Sequence, residues 1–228
     1  MVVAIVLASG RATRMGSGLD KCFLSLGNMP VVAWSLLAFE KCAAVDRIVL
    51  AVRKDQLGAA RSLQAMFGIS KLKAIVVGGA RRQDSVLAAL KEVPTFDCPQ
   101  VVIHDAARPC ITPELITETL KSAKRFGSGI AACPVVDTIK VVGKGNLVES
   151  TPPRDNLWAV QTPQAFNTEL LRSAYERLAA DKKVTYTDDS AVVEAAGTAT
   201  HLVKWLAPNP KITTAIDLTI TAAILRLN

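Results

Sequence analysis

The sequence predicts an α/β protein, a three-layer fold built on a mostly parallel, twisted sheet. Residues 2–8 (VVAIVLA) are seven consecutive apolar residues rich in Val and Ile, the pattern of a strand buried on both faces. Three strand-then-helix units then follow in a row, which in one sheet requires parallel strands and right-handed crossovers. Half of the 228 residues are hydrophobic and 21% are charged, enough for one well-buried core and short for two. The chain therefore reads as one domain over residues 1–228.

The first strand breaks at Ser9-Gly10 into a segment that carries Arg11, Arg14 and Lys21, with glycines at 10, 16 and 18. Strand, glycine loop and cations together describe a phosphate site. It is not a P-loop: Met15 stands where the second glycine is required, and no Gly-Lys pair follows. Nor is it the dinucleotide fingerprint, which fails at Ala12, and Val52-Arg53 closes the second strand without the expected acid. A loop that brings its own cations suits a triphosphate.

Pro30 opens a helix in which Val31, Trp34, Leu37 and Ala38 recur at helical spacing as far as Glu40. Residues 47–52 form the second strand, and 57–67 the second helix, closed by Gly68. Residues 73–77 form a third strand that runs into Gly78-Gly79-Ala80-Arg81-Arg82, and Val86, Leu87, Leu90 and Val93 line the next helix. A fourth strand, 100–104, runs into Asp105-Ala106-Ala107-Arg108-Pro109. Ligands of open parallel sheets sit outside the carboxyl ends of the strands, so the loops after strands one, three and four converge on one crevice. Thr112 caps a helix that Pro113 begins and Gly127 stops.

Residues 128–135 read as another buried strand. After it, 138–142 and 147–151 flank the turn Gly143-Lys144-Gly145-Asn146, so 137–157 reads as a β-arm leaving the sheet. A ribbon this short is not stable alone; it packs back or docks on a partner chain. A helix over 168–180, a polar segment 185–189, a short helix to Ala196, a strand 201–206 and a last helix follow. Ile216, Ile220, Ala223, Ile224 and Leu227 share one face of that last helix.

Lys and Arg outnumber Asp and Glu 27 to 20, a net charge of +7 that concentrates anionic substrates. Basic runs no longer than pairs and 5% aromatic residues supply neither a basic tract nor a stacking platform for nucleic acid. Five cysteines, at 22, 42, 98, 110 and 133, without a C-x-x-C pair, indicate free thiols in a reducing cytoplasm. The apolar N-terminus lacks a basic flank and is too short to span a membrane, so no membrane association is expected. His104 and His201 read as structural, and Trp34, Trp158 and Trp205 as core or interface residues.

With these residues in hand, the chain resembles the 2-C-methyl-D-erythritol 4-phosphate cytidylyltransferases over nearly its whole length. The family's opening A-A-G-x-G-x-R-M and P-K-Q matches Ala8-Ser9-Gly10 through Arg14-Met15, and Lys21. G-G-x-x-R-x-x-S-V matches Gly78, Gly79, Arg82, Ser85 and Val86, and H-D-A-A-R-P matches His104 to Pro109. D-T-[IM]-K, T-P-Q, T-D-[DE] and N-x-K-[IV]-T match the segments that begin at Asp137, Thr162, Thr187 and Asn209. The resemblance implies a Rossmann-like nucleotidyltransferase fold and Mg²⁺-dependent transfer of a cytidylyl group from CTP to a polyol phosphate. Arg14 and Lys21 would be catalytic, stabilising the α-phosphate and the departing pyrophosphate. Ala8, Ser9, Gly10, Gly78, Gly79, Arg82 and Ser85 would bind the nucleotide, and Asp105 would organise the metal-triphosphate. Arg154, Lys211, Arg108, Thr138 and Thr162 would position the acceptor, with the arm inserted into a neighbouring subunit of a homodimer.

Three departures stand out: Ala12 for the second loop glycine, Cys22 for the glutamine after the lysine, and Pro208 and Pro210 around Asn209. The last leaves the second metal ligand open, since Asn209 offers a neutral oxygen. The alternatives to methylerythritol phosphate transfer are the sister activity on ribitol 5-phosphate and a non-catalytic nucleotide-binding relative.

Overall fold

In the computed structural model, described for residues 1–10, 20–178 and 183–227, the first strand separates two cores. Along β1 (Val2–Ala8) the side chains alternate, Ala4, Val6 and Ala8 entering one apolar cluster and Val3, Ile5 and Leu7 the other. A strand buried on both faces needs helices above and below, and the chain supplies them. A small hairpin, β2 (Ser25–Leu26) and β3 (Met29–Pro30), leads into α1 (Val31–Lys41). Then come β4 (Arg47–Val52), α2 (Leu57–Phe67), β5 (Leu72–Val77), α3 (Arg82–Leu90), β6 (Gln100–Asp105), α4 (Pro113–Phe126) and β7 (Ser128–Pro134). Helices α1, α2 and α4 cover the face of Val6, whereas α3 covers the face of Ile5.

Helix boundaries follow the local chemistry. Thr112 Oγ1 accepts the Leu115 N–H at the start of α4, and Gly127 ends that helix in the left-handed region at φ 85°. At α3 the Asp84 carboxylate accepts the backbone N–H of Arg81 at 3.0 Å.

The arm is a two-stranded ribbon, β8 (Val141–Val142) with β9 (Val148–Ser150), shorter than the pattern suggested and separate from the main sheet. It leaves from the end of β7 and returns into β10 (Trp158–Asn167). Residues 158–167 carry no strand pattern in the sequence, because Gln161, Thr162, Pro163 and Gln164 interrupt any apolar alternation. The stretch is nonetheless a sheet strand, with a register shift between Val160 and Gln164 that accommodates the proline. Helices α5 (Thr168–Leu178) and α6 (Asp189–Ala195) join α3 on its face, and β11 (Leu202–Lys204) and α7 (Ala215–Ile224) complete the chain.

The seven-stranded sheet has the order β11-β7-β10-β6-β1-β4-β5. All neighbours pair parallel except at β10, which runs antiparallel to both β6 and β7. The mostly parallel three-layer expectation therefore holds.

The apolar face expected on the last helix is only partly the one it buries, through Leu227. Leu218, Ala222, Leu225 and Leu227 pack against Leu26, Val31 and Ile212, while Ile216 and Ile220 stay exposed. A helix apolar on nearly every side carries no periodic signal to choose a face, and the hairpin beneath it decides.

Candidate active site

The carboxyl ends of β1, β4, β5 and β6 open onto one crevice of about 860 Å³. Ser9 and Gly10 come from the loop after β1, Gly78 to Arg82 from the loop after β5, and Asp105 from the end of β6. Ser85, Lys21 and Lys211 also line it. The expected convergence of three loops is thus present, and a fourth joins it: Arg53, Lys54 and Asp55 follow β4. The same strand-end rule predicts that fourth contribution. In the sequence Arg53 stands out only as the residue that occupies the place of a dinucleotide site's acid.

One wall is a cradle of small groups. Ser9 Oγ and Ser85 Oγ lie 2.8 Å apart, and the Gly79 N–H donates to Ser85 Oγ at 3.1 Å. Gly78 fits between them because it has no side chain: a Cβ there would sit 2.4 Å from Ser9 Cβ. Ala8 is fully buried at the end of β1, beneath the cradle.

The crevice also holds an ionic cluster. Asp105 receives Arg82 Nε on Oδ1 at 3.2 Å and Lys211 Nζ on Oδ2 at 2.6 Å. Burial alone would raise the Asp105 carboxyl, but the Arg82 and Lys211 cations outweigh it and hold the group well below the usual carboxylate range. Arg82 Nη2 also reaches Asp189 Oδ2 at 2.8 Å, and the Tyr175 hydroxyl donates to Asp189 Oδ1 at 2.5 Å. Neither Tyr175 nor Asp189 was singled out from the sequence. Asp189 lay inside the T-D-[DE] match, which was the available signal.

Behind Asp105, His104 is fully buried. Its Nε2 lies 3.1 Å from the Arg108 carbonyl, which can only accept, so Nε2 carries the proton and Nδ1 accepts from Thr162 Oγ1 at 3.1 Å. Burial pushes the imidazole down to about 3, so it stays neutral and structural, as expected. Thr162 Oγ1 in turn accepts the Asp105 backbone N–H. Thr162 therefore sets the end of β6 from below.

Arg108 donates from Nη1 to the Asn209 carbonyl at 2.7 Å, which ties its loop to the segment that carries Lys211. Gln164, of the T-P-Q match, accepts the N–H groups of Asp189 and Ser190 and donates to Asp188 Oδ2. The T-P-Q strand thereby pins the start of α6. Cys22, at the crevice edge, is no nucleophile: burial, then Asp20, pushes its thiol up to about 12.

Of the residues the sequence nominates, Ser9, Gly10, Lys21, Gly78, Gly79, Arg82, Ser85, Asp105 and Lys211 meet at this crevice. Thr162 and Arg108 lie behind it. Thr138 and Arg154 are exposed on the arm, where Arg154 Nη1 donates to the Val136 carbonyl. Arg14 lies outside the described residues, as do Arg11, Ala12 and the glycines at 16 and 18.

A crevice that holds both a glycine-serine cradle and a carboxylate clamped by two cations is suited to a nucleoside triphosphate. Comparison with known proteins identifies which one. Residues 2–227 match the family described as 2-C-methyl-D-erythritol 4-phosphate cytidylyltransferase. The chain belongs to that family.

The family's enzyme from Alkaliphilus oremlandii is 40% identical over 223 residues, covering 97% of this chain and 94% of that protein. The crystal structure of 4-diphosphocytidyl-2C-methyl-D-erythritol synthase from Anaerococcus prevotii superposes with a TM-score of 0.86 at 28% identity, over 99% of this chain and 96% of the other. That of 2-C-methyl-D-erythritol 4-phosphate cytidylyltransferase from Thermus thermophilus gives 0.79 at 31% identity, over 99% and 100%. None of these three is named for ribitol phosphate, and that alternative is not favoured. As a cytidylyltransferase the chain is a nucleotidyltransferase of the non-mevalonate isoprenoid route. Among the described residues no helix is long and apolar enough to cross a membrane.

Proposed function

We propose that this chain transfers the cytidylyl group of CTP to 2-C-methyl-D-erythritol 4-phosphate in the cytoplasm, using the crevice at the carboxyl ends of β1, β4, β5 and β6. The observation that carries this reading is Asp105, held between Arg82 and Lys211 in the same crevice as the Ser9–Ser85 cradle, in a chain of this family. A phosphate oxygen of the acceptor attacks the α-phosphorus in line as the bond to the bridging oxygen of pyrophosphate breaks. An acceptor phosphate is already a nucleophile at neutral pH, so positioning and charge stabilisation supply the rate.

The cradle formed by Ser9, Gly10, Gly78, Gly79 and Ser85, with Ala8 buried beneath it, takes the cytidine, and Arg82 faces the phosphates. Arg14 and Lys21 stabilise the charge that develops on the α-phosphate and leaving group. Lys211 places the acceptor, and Arg108 and Thr162 support the site from behind, through the Asn209 carbonyl and the Asp105 backbone. Asp105 offers hard carboxylate oxygens suited to Mg²⁺, and Lys211 Nζ sits against one of them at 2.6 Å. Among the described residues no three His, Cys, Asp or Glu side chains gather to hold a metal, so triphosphate oxygens would complete its shell. When bound, Mg²⁺ supplies neutralisation of the triphosphate charge.

Thr138 and Arg154 stand away from the crevice of their own chain, on a ribbon that exposes Val142, Leu147 and Val148. Docking the ribbon on a second copy covers these residues and brings Thr138 and Arg154 to the partner's acceptor side, so the active form is a homodimer.

The test is pyrophosphate release from CTP with Mg²⁺, run with methylerythritol 4-phosphate and, in parallel, ribitol 5-phosphate. Release with the first acceptor is expected. Preference for ribitol 5-phosphate, or CTP binding without release on either, would overturn the assignment.

A further inference from the structure

We infer that Asp189, which takes no place on the crevice wall, is a positioning residue that fixes where the Arg82 guanidinium points and thereby sets the affinity for the nucleotide. The inference rests on the nucleotide-binding role proposed for Arg82. Arg82 begins α3 and lines the crevice, and its guanidinium forks between two carboxylates on different elements. Nε meets Asp105 Oδ1 at 3.2 Å, at the end of β6, and Nη2 meets Asp189 Oδ2 at 2.8 Å, at the start of α6. A planar guanidinium held at one nitrogen swings about that contact. Held at two, its plane is defined.

Asp189 is equipped to be the fixed end of this fork. Its side chain is fully buried, whereas those of Asp105 and Arg82 are 13% and 20% exposed. The Tyr175 hydroxyl donates to Oδ1, and the backbone N–H of Asp189 donates to Gln164 Oε1, so side chain and backbone are each anchored from the core. A carboxylate buried for stability alone is a poor investment, because desolvation offsets most of the Coulombic return. Its worth lies in geometry.

The charges also explain why two acids are needed. Arg82 and Lys211 face Asp105 and Asp189, two cations against two anions. If Asp105 were Arg82's single anchor, an incoming cation competing for Asp105 would release the guanidinium into the crevice. Asp189 lies out of the crevice's reach and retains Arg82 while Asp105 changes partners.

The experiment is a double-mutant cycle read by calorimetric titration of the full chain with CTP and Mg²⁺, with the KM for the acceptor measured alongside. Asp189→Asn keeps the shape and removes the charge, and is expected to weaken CTP binding about tenfold while the acceptor KM stays within about twofold. In an Arg82→Ala background the same change is expected to cost nothing further. An equal loss in both backgrounds, or a loss shared equally by nucleotide and acceptor, would overturn the inference, because either marks a general structural role. Should one of these variants fail to fold, Tyr175→Phe removes only the hydroxyl that steadies Asp189 and is expected to weaken CTP binding about threefold. Unchanged CTP binding in Tyr175→Phe would then overturn it. The cycle reads nucleotide affinity alone, so it stands or falls separately from the acceptor assignment, which pyrophosphate release from the parent protein decides.

Discussion

Replacing Gly78 with alanine tests the cradle. The added Cβ would lie 2.4 Å from Ser9 Cβ and 2.8 Å from Ser85 Oγ. Carbon atoms pack favourably at about 3.5–4.0 Å, so Ser9 must move by about 1 Å or more. Ser9 follows the central strand and Ser85 lies within α3, so neither side can yield by rotating a long side chain. Overpacking of this kind costs about 1–3 kcal/mol. Losing the 2.8 Å contact between the two hydroxyls adds about 1 kcal/mol. We expect Gly78→Ala to lower unfolding stability by about 2–4 kcal/mol in urea titrations and to weaken CTP binding in calorimetry. Adding Ser9→Gly removes the closest clash, and is expected to recover about 1 kcal/mol or more of stability without restoring CTP affinity, because the hydroxyl pair is gone. A Gly78→Ala protein with the parent's urea midpoint and CTP affinity would refute the reasoning.

Three further outcomes are expected. Lys21→Ala lowers kcat for pyrophosphate release by about 10²-fold or more and leaves CTP binding measurable; an unchanged kcat removes Lys21 from the mechanism. Deleting Lys140 to Ser150 yields monomers of little activity, checked by light scattering together with the release assay; a fully active dimer counts against the ribbon as the interface. His104 is held near 3 by burial against an ordinary value of about 6.5. Between those values the unfolded chain binds a proton that the folded chain refuses, so stability falls as pH drops below about 6.5, by about 1.4 kcal/mol per unit. Urea midpoints of His104→Asn should slope less steeply with pH than the parent's, and parallel slopes would refute this.

The elements legible in the sequence are those whose signal is local. Residues 2–8 announce a strand by an unbroken apolar run, and Thr112, Pro113 and Gly127 mark both ends of α4. The crevice was legible for the same reason: strand ends, glycines and charges at Gly10, Gly78 and Asp105 obey a rule that needs only the order of elements. β10 was not legible, because its polar middle is paid for by partners distant in sequence. Gln164 is satisfied by the start of α6, and Thr162 by His104 and Asp105. The face of α7 was misjudged because Leu26 and Val31, not periodicity, choose it. The T-D-[DE] match marked Asp189, but its buried pairing with Tyr175, fourteen positions away, needed the fold.

β10 is the one strand of the sheet that runs against its neighbours, and so its first residues stand at the same rim as the last residues of β6 and β7. The ribbon is rooted there, with Trp158 paired to Pro134. From that root β10 passes between β6 and β7, in ladder contact with both, and Gln164 ties it to α6. The ribbon and the crevice therefore share one strand, the ribbon at its root and Thr162 in its middle. Thr162 Oγ1 accepts the Asp105 backbone N–H, so the strand into which the ribbon returns also sets the carboxylate on which the triphosphate would rest.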